Sequence, residues 1–199
     1  MWPELCTRLE GRLIVLEPVE EGHAERFWEA AQDPAVWSLM SIEAGRNRTQ
    51  FERWWDQLRT AFAAGEEVPF ATVVRDGGRL VGGTRFLTLR REHRGVEIGH
   101  TWLRSESWQS GANIEAKLLM LEHAFDRCGC MRVEFKTDAR NERSRRALEA
   151  LPAEFEGIFR KHMLVRDGEL RDSAYYAIVD DDWPEVRANL ERRLAQKTP

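Results

Sequence analysis

Apolar residues along the chain change their spacing several times, and each change predicts a boundary between elements. Residues 11–19 alternate weakly up to Pro18, which predicts a first strand running into a turn. Over 20–33, Ala24, Phe27, Trp28 and Ala31 recur at helical spacing until Pro34 stops the pattern. Residues 49–64 repeat it, with Phe51, Trp54, Trp55, Leu58 and Phe62 on one stripe and Gly65 as a terminator.

The period then shortens to two. Residues 69–75 and 79–90 flank Asp76-Gly77-Gly78, a strong hairpin signal, and 95–103 follow as a further strand. A short polar turn leads into a helix with Ile114, Leu118, Leu121 and Phe125 on one face, ending near Cys128 and Gly129. In 131–139, Val133, Phe135 and Thr137 alternate against Glu134, Lys136 and Asp138 as in a strand. Asn141 is a good N-cap for a helix over 141–151 that Pro152 ends. Residues 154–165 and 173–179 predict a last antiparallel hairpin around a turn at 166–170, and 182–194 a final helix. This order implies an α/β (α+β) fold: a mixed, mostly antiparallel central sheet of about seven strands flanked by helices. With no repeat, linker or low-complexity segment, one domain spanning 1–199 is expected.

Composition narrows the function classes. A net charge of -4 provides no general basic field, so neither nucleic acid nor an anionic membrane is an expected partner. No apolar run approaches the ~20 residues of a membrane helix, and residues 1–12 lack an apolar signal run, so a cytoplasmic protein is expected. Cys6, Cys128 and Cys130 are odd in number, and neither they nor the five histidines show a metal-ligand pattern. They read as reduced, structural thiols, and no metal is expected.

Two strand-to-helix junctions carry the candidate chemistry. The first, "WQSGANIEAK" at 108–117, would present the amides of Gln109, Ser110, Gly111, Ala112, Asn113 and Ile114 at the positive end of a helix, where an anion such as phosphate is favoured. The same turn also reads as an ordinary solvated N-cap. The second, "KTDARNERSRRALE", offers the Asn141 amide, the Ser144 hydroxyl one helical turn on, and the positive charges of Arg143, Arg145 and Arg146. Two such junctions side by side suit one extended ligand with phosphates at one end and a polar chain at the other.

Together with "EIGHTWL", with Trp108, Asn113, Glu115, Ala116 and Lys117 in their spacing, with "HAFDRCGCMRVEFKTDARNERSRRALE" and with "DDWPEV", these junctions resemble the GNAT superfamily of acyl-CoA N-acyltransferases. The likeness is to the branch that includes the ribosomal-protein N-terminal acetyltransferases, and it covers nearly the whole chain. It implies a sheet splayed between its fourth strand, 95–103, and its fifth, 131–139, with acetyl-CoA or another acyl-CoA in the opening. It also implies backbone contacts from Thr101, Trp102 and Leu103 to the pantetheine, the 109–114 loop around the pyrophosphate with Arg146 nearby, Asn141 against the pantetheine arm, and Ser144 near the thioester sulfur. Asn113 stands where glycine or alanine is usual, and Leu151-Pro152 replaces the common Leu-Gly exit of the helix.

The expected reaction is acyl transfer to a primary amine, either a protein N-terminus or a small molecule, by direct attack with a general base and protonation of the thiolate. Glu97, an ionisable residue inside an apolar strand, is the first candidate base, and its bland reading is a solvent-facing side chain or an ion pair with an arginine such as Arg85. His100 is the second, though strand alternation puts it on the opposite face unless a bulge intervenes near Gly99. Ser144 is the first candidate proton donor, with Tyr175 and Tyr176 as alternatives. Trp37, Met40, Trp54 and Trp55 are candidates to line the acceptor pocket or, equally, to form core. A non-catalytic acyl-CoA-binding or sensing module is the rival reading, and the chain is expected as a monomer or homodimer.

Overall fold

The alternation read along the chain becomes one eight-stranded sheet in the computed structural model, which describes residues 2–37, 40, 42–165 and 168–197. The strands are β1 (Leu9–Glu10), β2 (Ile14–Pro18), β3 (Val68–Val74), β4 (Leu80–Arg90), β5 (Gly95–Leu103), β6 (Arg132–Asp138), β7 (Glu154–Val165) and β8 (Glu169–Val179). They lie in the order β1-β2-β3-β4-β5-β6-β8-β7, antiparallel throughout except where β5 runs parallel to β6. The two-residue β1, folded back on β2, raises the expected seven strands to eight. The splay expected between the fourth and fifth strands therefore falls between β5 and β6.

Local chemistry accounts for most boundaries. Helix α1 is Ala24–Ala31, shorter than the periodicity of 20–33 suggests because Glu21–His23 is wound as a 3-10 turn. Helix α2, Arg48–Ala64, starts where the Asn47 side chain accepts from the Gln50 amide (2.9 Å) and stops at Gly65 in the left-handed region (φ 74°). Helix α3, Ala112–Glu122, passes into a π-type turn over His123–Arg127, so the expected continuous helix changes pitch in its last turn. Asn141 caps α4, Glu142–Glu149, by accepting from the Ser144 amide (3.0 Å), and α5 is Trp183–Ala195. Arg166 and Asp167, in the predicted last turn, lie outside the described residues.

Apolar packing covers both faces of the sheet. On one face Val96, Ile98, Val133, Phe135 and Tyr176 join residues of α3 and α5 in a single buried cluster. On the other, Phe27 of α1 and Phe51, Trp54 and Trp55 of α2 pack with Trp37 and Trp102. Trp37 and Trp55 are thus core rather than pocket lining, and Met40 packs against the same cluster.

A buried carboxylate ties α3 to the start of the sheet. Both oxygens of Glu115 take backbone N–H donors, from Arg12 and from Leu13 and Ile14, at 2.7–2.8 Å. Gly11 makes room for it, since a Cβ there would lie 2.3 Å from the Glu115 Cδ. The turn before β2 is therefore clamped to the first turn of α3, and this fixes where the α3 N-terminus points.

Candidate active site

The β5–β6 contact is short. Gly95, Val96 and Glu97 pair with Arg132, Val133 and Glu134, and the pairing then ceases, leaving the edges of Ile98–Leu103 and Phe135–Asp138 unjoined. Free strand edges at such a divergence present N–H and C=O groups to whatever enters between them. Thr101, Trp102 and Leu103 lie on this open stretch. The Thr101 hydroxyl bonds that of Thr84 (2.8 Å) and accepts from Lys117 Nζ (3.0 Å), while the Trp102 ring faces away into the aromatic cluster.

Glu97 stands at the last paired rung and is 3% exposed. Its Oε2 accepts from Lys136 Nζ (3.2 Å) and from the Thr88 hydroxyl (3.1 Å). The arginine partner suggested by the sequence is absent: Arg85 instead pairs with Glu67 at 2.6 Å and lies over Trp54. Gly99 leaves room beside Glu97, because a Cβ there would lie 2.7 Å from Leu87 Cδ1 and 3.0 Å from Glu97 Oε1.

A bulge decides the position of His100. Gly83 opposes Trp102 while Arg85 opposes Gly99, so Thr84 faces two residues, and His100 takes a left-handed φ of 46°. The extra residue returns Thr101 to the α3 face and turns His100 into a narrow cavity lined by Trp54, Trp102, Arg85 and Thr84. His100 thereby comes to the Glu97 side of the sheet, against simple alternation. It is a poor base there: burial first, then the charges of Arg85, Lys136 and Arg171, hold its pKa down to about 3.

Register places further polar groups on that face. Lys136 opposes Tyr175, and Asp138 opposes Ser173. The Tyr175 hydroxyl meets His162 Nε2 at 3.2 Å, and His162 Nδ1 meets the Ser173 hydroxyl at 3.0 Å. Tyr175 is raised above the usual tyrosine range, by burial first and then by Glu97 and Glu134. Tyr176 points the other way, fully buried, with its hydroxyl bonded to Glu149 and receiving Arg145 Nε. The two tyrosines therefore occupy opposite faces, and Tyr175 alone shares that of Glu97.

The two strand-to-helix junctions meet, as one extended ligand would require. The Arg143 guanidinium lies 3.9 Å from the centre of the Trp108 ring, whose Nε1 donates to the Leu103 carbonyl (2.9 Å). Ala112 N–H is taken by the Ser110 hydroxyl, whereas the amides of Gln109, Gly111, Asn113 and Ile114 have no acceptor among the described residues. These donors suit a phosphate. Gly111 has φ 95°, and its missing Cβ would face Leu13 (2.9 Å) and Lys197 (3.1 Å), so glycine is demanded by packing against the turn before β2 and the residues after α5 as well as by the backbone.

Asn141 and Ser144 sit at the second junction, with the Asn141 oxygen used for capping and the Ser144 hydroxyl without a partner among the described residues. Arg146 is exposed and pairs loosely with Glu142 (3.6 Å), so Arg143 is the arginine that reaches the first junction.

Lys117, Lys136, His162 and Arg171 were missed as site residues. Lys117 had a signal, a cation beside the apolar stripe of a helix, and Lys136 another, a cation on the polar side of a central strand; His162 and Arg171 had none, because a bulge and a hairpin bring them in. All three cysteines are free thiols, and burial pushes Cys128 up to about 11 and Cys130 to about 12. No helix among the described residues is long and apolar enough to cross a membrane.

Comparison with known proteins agrees with this geometry. Residues 12–154 match the profile of the acetyltransferase (GNAT) domain. The uncharacterized N-acetyltransferase YoaA of Bacillus subtilis is 25% identical over 86% of this chain and 96% of its own length. A GCN5-related N-acetyltransferase from Brucella melitensis superposes with TM-score 0.86 at 27% identity, over 95% of this chain and 86% of that one. Mycobacterium smegmatis RimJ, solved in complex with CoA-disulfide, shares the fold at TM-score 0.74 and 22% identity, over 94% and 92% of the two chains.

Proposed function

The chain belongs to the GNAT acetyltransferase family, and we propose that it moves an acyl group, acetyl foremost, from acyl-CoA to a primary amine with Glu97 as the general base. The observation that carries this reading is the buried Glu97 carboxylate at the rung where β5 and β6 separate. Acyl-CoA supplies the activated thioester. The chain supplies the α3 first-turn amides and the Arg143–Trp108 pair for its phosphates, the open edge of β5 at Thr101, Trp102 and Leu103 for its arm, and the Asn141 amide at the second junction.

Glu97 takes the proton of the attacking amine, directly or through water. An α-amine, with a pKa of about 7.7–8.0, needs less help than a lysine at about 10.4. As the new C–N bond forms and the C–S bond breaks, the leaving thiolate needs a proton. The Ser144 hydroxyl, free of protein partners among the described residues, is the favoured donor, and Tyr175 is the alternative on the Glu97 face. Tyr176 is disfavoured because its hydroxyl is engaged by Glu149 and Arg145. A non-catalytic acyl-CoA sensor is the lesser reading, since it supplies no reason to bury Glu97 against Lys136 at the mouth of the splay.

Calorimetry with acetyl-CoA tests the cofactor half of the proposal. Wild type should bind in the micromolar range (about -8 kcal/mol). Asn113→Glu, at an exposed position of the first turn, adds charge that favours the helix end but repels phosphate, so it should weaken binding without lowering the melting temperature. A folded wild type that binds no acetyl-CoA would refute the reading.

A further inference from the structure

Arg171 carries a guanidinium that finds no acceptor among the described residues. The residue is 8% exposed, its Nε is buried without a partner, and it makes no ion pair among the described residues. Its two neighbouring acids are already engaged, Asp138 by the backbone amide and guanidinium of Arg140, and Glu97 by Lys136 and Thr88. A buried guanidinium with no hydrogen-bonded acceptor, attracted only at a distance by acids that already have partners, is a costly arrangement, so its retention points to an anion that arrives from outside.

Its location says which anion. The Arg171 charge acts on His100 of β5, on His162 of β7, on Tyr175 of β8 and on Asp138 of β6, and Glu97 acts on it in turn. The guanidinium is thus a hub of the polar face beside the candidate base. The β7 strand is reshaped around it: Phe159 opposes Ser173 and Met163 opposes Arg171, and the extra residues between them include Lys161 at φ 48°, its N–H held by Asp172. This irregularity brings His162 onto Ser173 and Tyr175, while Phe159 stacks on Tyr175 at 4.2 Å. The cations of this wall, Arg171 and Lys136, would repel a polycationic acceptor.

We propose that Arg171 is the anion-binding residue of the acceptor site and that the acceptor is a small, amino-acid-like amine whose carboxylate pairs with Arg171 while its nitrogen faces Glu97. This deepens the acyltransferase reading and rests on it. The planar guanidinium suits two-point recognition of a carboxylate; as the amide C–N bond forms and the thioester C–S bond breaks, the amine proton passes to Glu97 and the departing thiolate takes a proton from the donor named above.

The test measures acetyl-CoA-dependent thiol release with the standard L-amino acids and their carboxamides, on wild type, Arg171→Gln and Arg171→Lys, with acetyl-CoA binding measured separately. Wild type should prefer at least one free acid over its amide by about tenfold or more, and Arg171→Gln should lose that preference with acetyl-CoA affinity unchanged. Because the guanidinium has no partner among the described residues, Arg171→Gln should melt no lower than wild type, whereas a structural arginine would cost stability when removed. Equal use of acids and amides, a preference that survives Arg171→Gln, or no amino acid accepted by a protein that binds acetyl-CoA would each overturn the proposal and leave the acyltransferase reading standing. A folded protein that binds no acetyl-CoA would instead remove that reading, and this proposal with it.

Discussion

Glu97 and Lys136 are joined across the mouth of the splay, Oε2 to Nζ at 3.2 Å, one on each of the two strands that part there. The pair orients the carboxylate next to the opening, and the Thr88 hydroxyl fixes it from β4. Glu97→Gln keeps the shape but removes the proton acceptor. Turnover should fall by about 10²–10⁴-fold, with acetyl-CoA affinity within a few-fold of wild type. A variant that keeps most of its turnover would exclude Glu97 as the base.

His100 should be dispensable as a base. With its pKa near 3, it stays neutral through the range where an amine is acylated, so the acidic limb of the rate profile cannot come from it. Asparagine tolerates the left-handed backbone that the bulge requires. His100→Asn should therefore leave the pH dependence of kcat/KM where it was. A shift of that limb would return His100 to consideration.

Glu115 makes a prediction about stability. Truncation to alanine orphans the amides of Arg12, Leu13 and Ile14, at about 1–3 kcal/mol for each one left buried without water. Urea unfolding should show a loss of several kcal/mol, on the order of 3–5. Gly11→Ala attacks the same clamp from the other side, because its Cβ would overlap the Glu115 carboxyl. A loss below about 1 kcal/mol in both variants would mean that the clamp is not what anchors α3.

Lys117 should make stability depend on pH. Burial holds its pKa down to about 7, against 10.5 for a free lysine, with Thr101 as its hydrogen-bond partner. Between those values the unfolded chain binds a proton that the folded chain does not, so the stability of wild type rises with pH through this window, and below about 7 the burial penalty is complete. Lys117→Met lacks this dependence. The stability difference between the two proteins should therefore narrow in favour of wild type from pH 6 to pH 10. Parallel curves would show that the ammonium is not desolvated.

Much of the fold was legible because it rests on local rules. Spacing located the five α-helices of the described residues and the seven longer strands, Asn141 and Gly65 marked ends that they do cap or close, and Pro34 and Pro152 marked stops. The misses have physical causes. β1 is too short to show a period, the first helix begins as a 3-10 turn, and the helix after "WQSGANIEAK" ends in a π-type turn, which depends on hydrogen-bond choice rather than on residue pattern.

By itself the sequence determined the element order, the family likeness and the residue types at each junction, since these depend on periodicity, capping and short motifs that neighbouring residues enforce. Only the tertiary structure decided which charges meet. Whether Glu97 paired with Arg85 or Lys136 hung on the register of β5 against β6, the face of His100 on a bulge opposite Thr84, and the isolation of Arg171 on Asp138 and Glu97 having other partners. Alternation assigns a side chain to a face, but partners across a sheet are set by strand order and bulges, and those are fixed by contacts between residues far apart in the chain.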